Sequence, residues 1–278
     1  MGSAFVEALR ARGADVVVYN RTEAKARALE RFGARAVGDP REAARGASRL
    51  HIMISDDAAV DALLESLDGA IPSDAIVIDH STVAPGPTTA RFARMQSRGI
   101  AFLHAPVFMS PGGVRESTGV MLVSGPQSVY ENVRAELAAM ASDVWYLGET
   151  QDKAATIKLF GNSMLVFMSA ALADGLTMAN AAGVTPEEAL TLFEHFALQG
   201  ALEFRGKRMA RRDFAPMFEL TMARKDVRLM LETAQSAGAT LHVLPHIAAR
   251  MDELIARGFG AEDLSVLGAD IVATNALA

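Results

Sequence analysis

Residues 153–182 read KAATIKLFGNSMLVFMSAALADGLTMANAA, and this run decides how the chain is divided. It has no proline, few β-branched residues and an excess of Ala, Leu and Met, which lose little freedom on entering a helix. The stretch predicts one long helix that opens a helical domain. What precedes it has a different texture. From Asp15 to Tyr146, short β-branched runs read as buried strands: Val16 to Tyr19, His51 to Ile54, Ala75 to Ile78, Ala101 to Leu103, Val120 to Val123 and Val144 to Tyr146. Amphipathic segments at Glu23–Arg31, Ala58–Leu67, Pro85–Ser97 and Ser128–Met140 lie between them. Such alternation predicts an α/β fold, a mostly parallel sheet with helices on both faces. Downstream, Pro186, Gly200, Gly238 with Pro245, and Gly258-Phe259-Gly260 separate helices expected around Glu187–Phe196, Ala201–Ala210, Leu220–Ser236 and Pro245–Arg257.

A Rossmann-like dinucleotide-binding unit opens with a buried strand and a Gly-x-Gly-x-x-Gly turn, where a helix amino terminus meets a pyrophosphate. This chain begins inside that turn. Met1-Gly2-Ser3 with Ala4 to Leu9 reads as the last glycine, Gly2, and the first helix, and Gly13 to Asn20 reads as the second strand. The first strand, central in the doubly wound order, is missing, so two inner strand edges are expected without partners. Each unpaired buried polar group costs about 1–3 kcal/mol, which over a whole strand exceeds a typical margin of about 5–15 kcal/mol. The expectation is an incomplete reading of a longer protein through a misplaced start; the alternative is a native Met1 and a rearranged fold. The predicted organisation is a dinucleotide-binding domain over 1–152 and a helical substrate and dimerisation domain over 153–278.

With 278 residues, 50% of them hydrophobic and 22% charged, the chain is long enough for two sizeable cores. A net charge of −6 gives no basic footprint, so no nucleic-acid partner is expected. The count of 0 Cys removes disulfides, Fe–S clusters and thiol catalysis, and suits a cytoplasmic location. No uninterrupted apolar run reaches the roughly 18 residues of a membrane span, so no membrane partner is expected either. Several helices are apolar on more than one face, which points to a homodimer or homotetramer; one buried core in a single subunit is the alternative. His51, His80, His104, His195, His242 and His246 are scattered, and only His242 and His246 stand four apart, with Pro245 between them, so no metal site is read. No Gly-x-Ser-x-Gly elbow is present for a serine hydrolase.

Lys158 and Asn162 stand four apart and so share a helix face. A proton donor beside an amide is what carbonyl reduction requires; a solvated surface pair is the bland alternative. Around this pair lie Val18-Tyr19-Asn20-Arg21-Thr22, Ile78-Asp79-His80-Ser81-Thr82, His104-Ala105-Pro106-Val107 and Lys225-Asp226, with Gly258 to Ser265 near the end. In this order and spacing the blocks resemble the β-hydroxyacid dehydrogenase family, which includes 3-hydroxyisobutyrate dehydrogenase and glyoxylate or succinic semialdehyde reductases. The similarity covers nearly the whole chain. It implies an NAD(P)-dependent enzyme with a Rossmann-like domain, a long linking helix and a helical domain, usually paired into oligomers, acting on a small carbonyl or hydroxy compound.

The cofactor choice rests on Asn20-Arg21-Thr22, after the second strand. NAD enzymes tend to place an acid there for the ribose 2′-hydroxyl, whereas Arg21 suits a 2′-phosphate, Asn20 brings no repulsion and Thr22 adds a hydroxyl. NADP is therefore expected in preference to NAD; a helix cap and turn at the same residues is compatible. By resemblance, Ser55 and Asp56 lie beside the ribose and nicotinamide, though Asp56 also suits a helix cap. Lys158 donates the proton and Asn162 orients it or the substrate. Ser81 and Thr82 bind substrate or the nicotinamide amide, with capping of the helix near Pro85 as the alternative. Lys225 approaches cofactor or substrate, against an ordinary surface pair with Asp226. Acid-specific members read Asp-Ala-Pro-Val-Ser-Gly where this chain has His104-Ala105-Pro106-Val107-Phe108-Met109-Ser110-Pro111-Gly112-Gly113. Phe108 and Met109 put apolar bulk at hydrogen-bonding positions, with core or dimer contacts pointing away from the pocket as the alternative, and Ser110, Gly112 and Gly113 are expected to restore donors for the substrate. An imine reductase shares this architecture, but Lys158 favours an aldehyde or alcohol; a noncatalytic NADP-binding protein is the reading from another class.

Overall fold

In the computed structural model, which describes residues 1–271, helix α1 (Gly2–Ala11) precedes strand β1 (Val17–Tyr19), and α2 (Glu23–Arg27) with a short 3-10 turn leads to β2 (Arg35–Val37). The chain continues through α3 (Pro40–Ala44), β3 (Arg49–Ile52), α4 (Asp57–Ser66), β4 (Ile76–Asp79), α5 (Pro85–Ser97) and β5 (Ala101–His104). Then come β6 (Val107–Phe108), α6 (Pro111–Glu116), β7 (Val120–Val123), α7 (Gln127–Ala138), β8 (Asp143–Tyr146) and the long helix α8 (Lys153–Ala181).

The strands pair as β1-β2, β3-β4-β5 and β6-β7-β8. All pairs are parallel except β6 with β7, so the last sheet is mixed where a mostly parallel one was expected. The antiparallel turn arises because β6 has two residues and returns through the short helix α6. His104 and Ser124 exchange amide bonds (3.1 and 3.0 Å) and so connect the second and third sheets. Among the described residues β1 has no strand partner other than β2, and β3 none other than β4.

β4 is buried along its whole length, as a parallel strand covered on both faces must be. Its side chains alternate: Ile76 and Ile78 join Phe5 of α1 and Val133 and Leu137 of α7, whereas Val77 joins Val60 and Leu64 of α4 and Phe92 and Met95 of α5. Helices therefore cover both faces.

Two compact units divide between Ser163 and Met164, inside α8. The reason is packing: Ala154, in the first turn of α8, is fully buried with Leu122 and Leu147 of the α/β unit. The second unit holds α9 (Pro186–Leu190), α10 (Leu192–His195), α11 (Leu198–Arg211), α12 (Leu220–Ser236) and α13 (Leu244–Leu254). The single helix expected over 187–196 is broken at Thr191, whose hydroxyl donates back to the Glu188 carbonyl (2.7 Å). Leu220, Ala223 and Val227 of α12 pack on Ala248, Met251 and Leu254 of α13. Past α13 the chain turns at Gly258, whose φ of 93° is one that side chains disfavour. Asp174, in the second half of α8, is buried and accepts the amides of His242, Val243 and Leu244, each at 2.8 Å.

By length and composition α8 is apolar enough to cross a membrane, although polar residues interrupt every run within it. The expectation drawn from uninterrupted runs is corrected to that extent. Leu165, Val166 and Phe167 are 52%, 65% and 64% exposed, an outward apolar face that needs a cover.

Candidate active site

Of the sequence-predicted cofactor residues, Asn20, Arg21 and Thr22 follow β1, and Ser55 and Asp56 follow β3. After β1, Asn20 Oδ1 accepts the Thr22 amide (2.9 Å) and closes a turn, while the Thr22 hydroxyl makes no capping bond to α2. Arg21 points outward, with no hydrogen bond or ion pair among the described residues. After β3, Asp56 caps α4, accepting the Ala59 amide (2.9 Å) on one oxygen and the Ser55 hydroxyl (2.6 Å) on the other. Those two bonds, with the nearby Arg21 charge, hold its carboxyl below the usual range. Arg21, Ser55 and Asp56 are thus neighbours. Gly2 opens α1 beside Met53, and a Cβ added there would meet Met53 at 3.8 Å.

After β4 the structure separates two residues that the sequence pairs. Ser81 is fully buried: its Oγ accepts the Ile54 amide (3.1 Å) and its own amide donates to Asp79 Oδ1 (2.9 Å). Ser81 therefore braces two strand ends, while Thr82 is exposed. Neither hydroxyl caps α5; the cap position is Ala84, whose amide donates to Asp57 Oδ2 (3.1 Å). Asp57 in turn receives Arg91, whose Nη2 lies 2.6 Å from Oδ1 and whose Nε lies 2.7 Å from Asp61 Oδ1. This fully buried arginine bolts α5 to α4 directly behind the two loops.

Beneath the same strand ends lies a histidine stack. His80 Nδ1 is 2.7 Å from the Ala105 carbonyl, so it carries the proton and donates; Nε2 then accepts from His51 Nδ1 at 2.9 Å. Burial pushes His80 down to about 4 and His51 to about 3, and both are neutral near pH 7. Phe5 stacks on the other side of His80, with ring centroids 5.0 Å apart.

The chain after β6 runs from half-buried Phe108 and Met109 to exposed Ser110 and Gly112. Ser110 Oγ caps α6 by accepting the Gly113 amide (3.0 Å). Gly113 is therefore spent as a donor, contrary to the sequence expectation; the Ser110 hydroxyl hydrogen and the amide of Gly112, in the first turn of α6, remain. Phe108 lies on α8, where its Cζ would stand 2.4 Å from a Cβ at Gly161. The Lys158 ammonium sits over this ring, 3.9 Å from its centroid. Lys158 is 8% exposed, with no hydrogen bond or carboxylate among the described residues, and burial lowers its pKa. Asn162 follows one turn on, half-buried. Lys225 belongs to the second unit and pairs at 3.0 Å with Asp226 in solvent, the competing surface arrangement.

Sequence reading missed Asp57, Asp61 and Arg91. A signal was present: Arg91 falls with Thr88, Phe92 and Met95 on the buried stripe of α5, where an unpaired charge is not tolerated. Among the described residues no group of three or more His, Asp or Glu side chains is placed to hold a metal ion.

A family profile described as the NAD binding domain of 6-phosphogluconate dehydrogenase matches residues 1–148, and one described as NAD-binding of NADP-dependent 3-hydroxyisobutyrate dehydrogenase matches residues 153–268. An uncharacterised oxidoreductase of Bacillus subtilis (strain 168) is 26% identical over 271 residues, covering 96% of this chain and 95% of that one. The chloroplastic glyoxylate/succinic semialdehyde reductase 2 of Arabidopsis thaliana is 28% identical over 270 residues, covering 95% and 74%. An imine reductase from Myxococcus stipitatus in complex with NADP+ superposes with a TM-score of 0.87 at 19% identity, covering 98% of this chain and 96% of that one, a likeness of fold.

Proposed function

Because the chain belongs to the β-hydroxyacid dehydrogenase family of NAD(P)-dependent dehydrogenases and reductases, we propose that it transfers a hydride between NADP and a small carbonyl or hydroxy compound, with Lys158 as proton donor. The observation that carries this reading is the environment of Lys158: a nearly buried ammonium with no carboxylate partner among the described residues. Burial lowers its pKa, which brings the amine nearer the operating range and makes it a stronger acid toward an oxygen gaining negative charge. Asn162, on the same face one turn later, orients the ammonium or the substrate.

The residues present fit a phosphorylated dinucleotide. Arg21 is exposed, with no hydrogen bond or ion pair among the described residues, Asn20 is neutral, and Gly2, Thr22, Ser55, Asp56 and Thr82 complete the proposed binding set. When bound, the nicotinamide supplies the hydride. The substrate favoured by Phe108 and Met109 is a neutral aldehyde or ketone rather than a 2- or 3-hydroxy acid, since a carboxylate buried against them lacks donors beyond Ser110 and Gly112. An imine substrate is the second candidate, and the ammonium of Lys158 favours a carbonyl oxygen over it. The exposed face of α8 is proposed to be covered by a second copy of the chain, giving a homodimer or a multiple of one in a reducing cytoplasm.

The test is a Lys158→Met variant screened by NADPH oxidation against small aldehydes, keto acids and cyclic imines. Turnover is expected to fall about 10²–10⁴-fold, the usual worth of a positioned acid, while NADPH binding stays as in the parent. Near-normal turnover in the variant excludes the role.

A further inference from the structure

Phe108 lies in a slot between two glycines. On its backbone side, a Cβ at Gly119 would stand 2.6 Å from the Phe108 carbonyl oxygen; at the ring tip, a Cβ at Gly161 would stand 2.4 Å from Cζ. Gly161 is in the interior of α8, where glycine weakens a helix, so it stands where it opposes local stability and makes room for the ring. Phe108 packs, with Val120 and Ile157, against the buried cluster of Leu122, Leu147 and Ala154, and the β6-β7 register pairs Phe108 with Val120. The side chain is therefore held at both ends. Its free face meets the Lys158 ammonium at 3.9 Å.

We propose that Phe108 is a positioning residue, whose ring face fixes the Lys158 ammonium and keeps it charged within an otherwise apolar setting. Two effects compete at that amine. Burial, the one cause of its lowered pKa, favours the neutral form, and among the described residues no charged group contributes to that shift. The negative face of an aromatic ring favours the cation, and no other described contact does. A rigid wedge also holds the amine in one rotamer, which a long lysine side chain otherwise does not keep. The inference rests on the proton-donor reading of Lys158 only for its effect on rate; the contact itself concerns the protein alone.

The experiment exploits a small lysine set, since the sequence has Lys25, Lys153, Lys158, Lys207 and Lys225. In protein carrying 13C-lysine and no added cofactor, the Lys158 methylene signals, assigned by their loss in Lys158→Met, are expected to be displaced by the ring current. Their titration reports its pKa directly. Phe108→Leu keeps an apolar side chain and removes the ring; Gly161→Ala keeps the ring and blocks its seat. Each is expected to return the signals toward those of solvated lysines and to lower the pKa by about 0.4–1.5 pH units, the span of a cation–π contact converted to a titration shift. The double variant is expected to show no further change, because both substitutions remove one contact. In turnover, the alkaline limb should move to lower pH by the same amount, since the acid works protonated. Unchanged signals and titration in Phe108→Leu, in protein that melts cooperatively, overturn the proposal even if Lys158 proves essential. Full turnover in Lys158→Met removes the proton-donor reading and leaves the measured contact standing.

Discussion

Replacing Arg91 by Met removes the bolt between α4 and α5. Arg91 is fully buried and gives up bonds of 2.6 Å to Asp57 Oδ1, 3.1 Å to the Asp57 carbonyl and 2.7 Å to Asp61 Oδ1. Breaking a buried pair from one side costs about 3–5 kcal/mol. Three features lower that figure: both carboxylates keep 33% exposure and can rehydrate, Arg94 still reaches Asp61, and the Arg91 Nη1 atom that now lies buried without a partner disappears. The expected loss is about 2–3 kcal/mol, or roughly 4–12 °C in the melting of the α/β unit. Acid gives a second check. Burial raises the Asp61 pKa, but the bonds from Arg91 and Arg94 outweigh it and hold the carboxyl below its ordinary value. A depressed carboxylate stabilises above its unfolded pKa, near 4, and loses that contribution as pH falls through the folded value. The gap between parent and variant should therefore be full at pH 7 and narrow below about pH 4. Scanning calorimetry at both pH values measures this, and equal melting temperatures at pH 7 refute the bolt. Since Asp57 also holds the Ala84 amide, the exposed Thr82 loop should loosen with it.

Two further outcomes follow from the same structure. Arg21→Ala is expected to weaken NADPH binding about 10–100-fold while sparing NADH, from the loss of one charge-assisted bond worth about 1.5–3 kcal/mol. Fluorescence titration of both dinucleotides decides it, and equal weakening of the two defeats the 2′-phosphate assignment. Phe167→Glu, on the 64% exposed part of α8, should convert the assembly to monomers in light scattering. An unchanged mass would exclude this face as the interface.

Long periodic elements were legible and short ones were not. Leu220–Ser236 and Pro85–Ser97 were read to the residue because each combines an unbroken 3.6-residue apolar stripe with clear stops. β2, α3, β6 and α6 have two to six residues each, too few for a period to register, and they exist because neighbours hold them. At the site, Arg21 and Lys158 stand out in the sequence because few residue types could do the chemistry proposed for them. The burial of Ser81 and its bond to the Ile54 amide were not legible, since a hydroxyl beside a strand end binds a ligand or a backbone amide with equal ease, and only packing decides which. Phe108 shows the same limit in reverse: its type said apolar bulk, while its contact with Lys158 depends on glycines eleven residues after it and far along the chain at 161.

Asp174 has a bearing on α8 that its own contacts do not exhaust. A helix apolar on most sides can spin or slide against its neighbours with little change in contact area. One carboxylate committed to three consecutive amides ahead of α13 removes that freedom, because any rotation or axial slip strands a buried charge. Asp174 thus works as an indexing pin, trading hydration for a single angular setting of the second half of the helix.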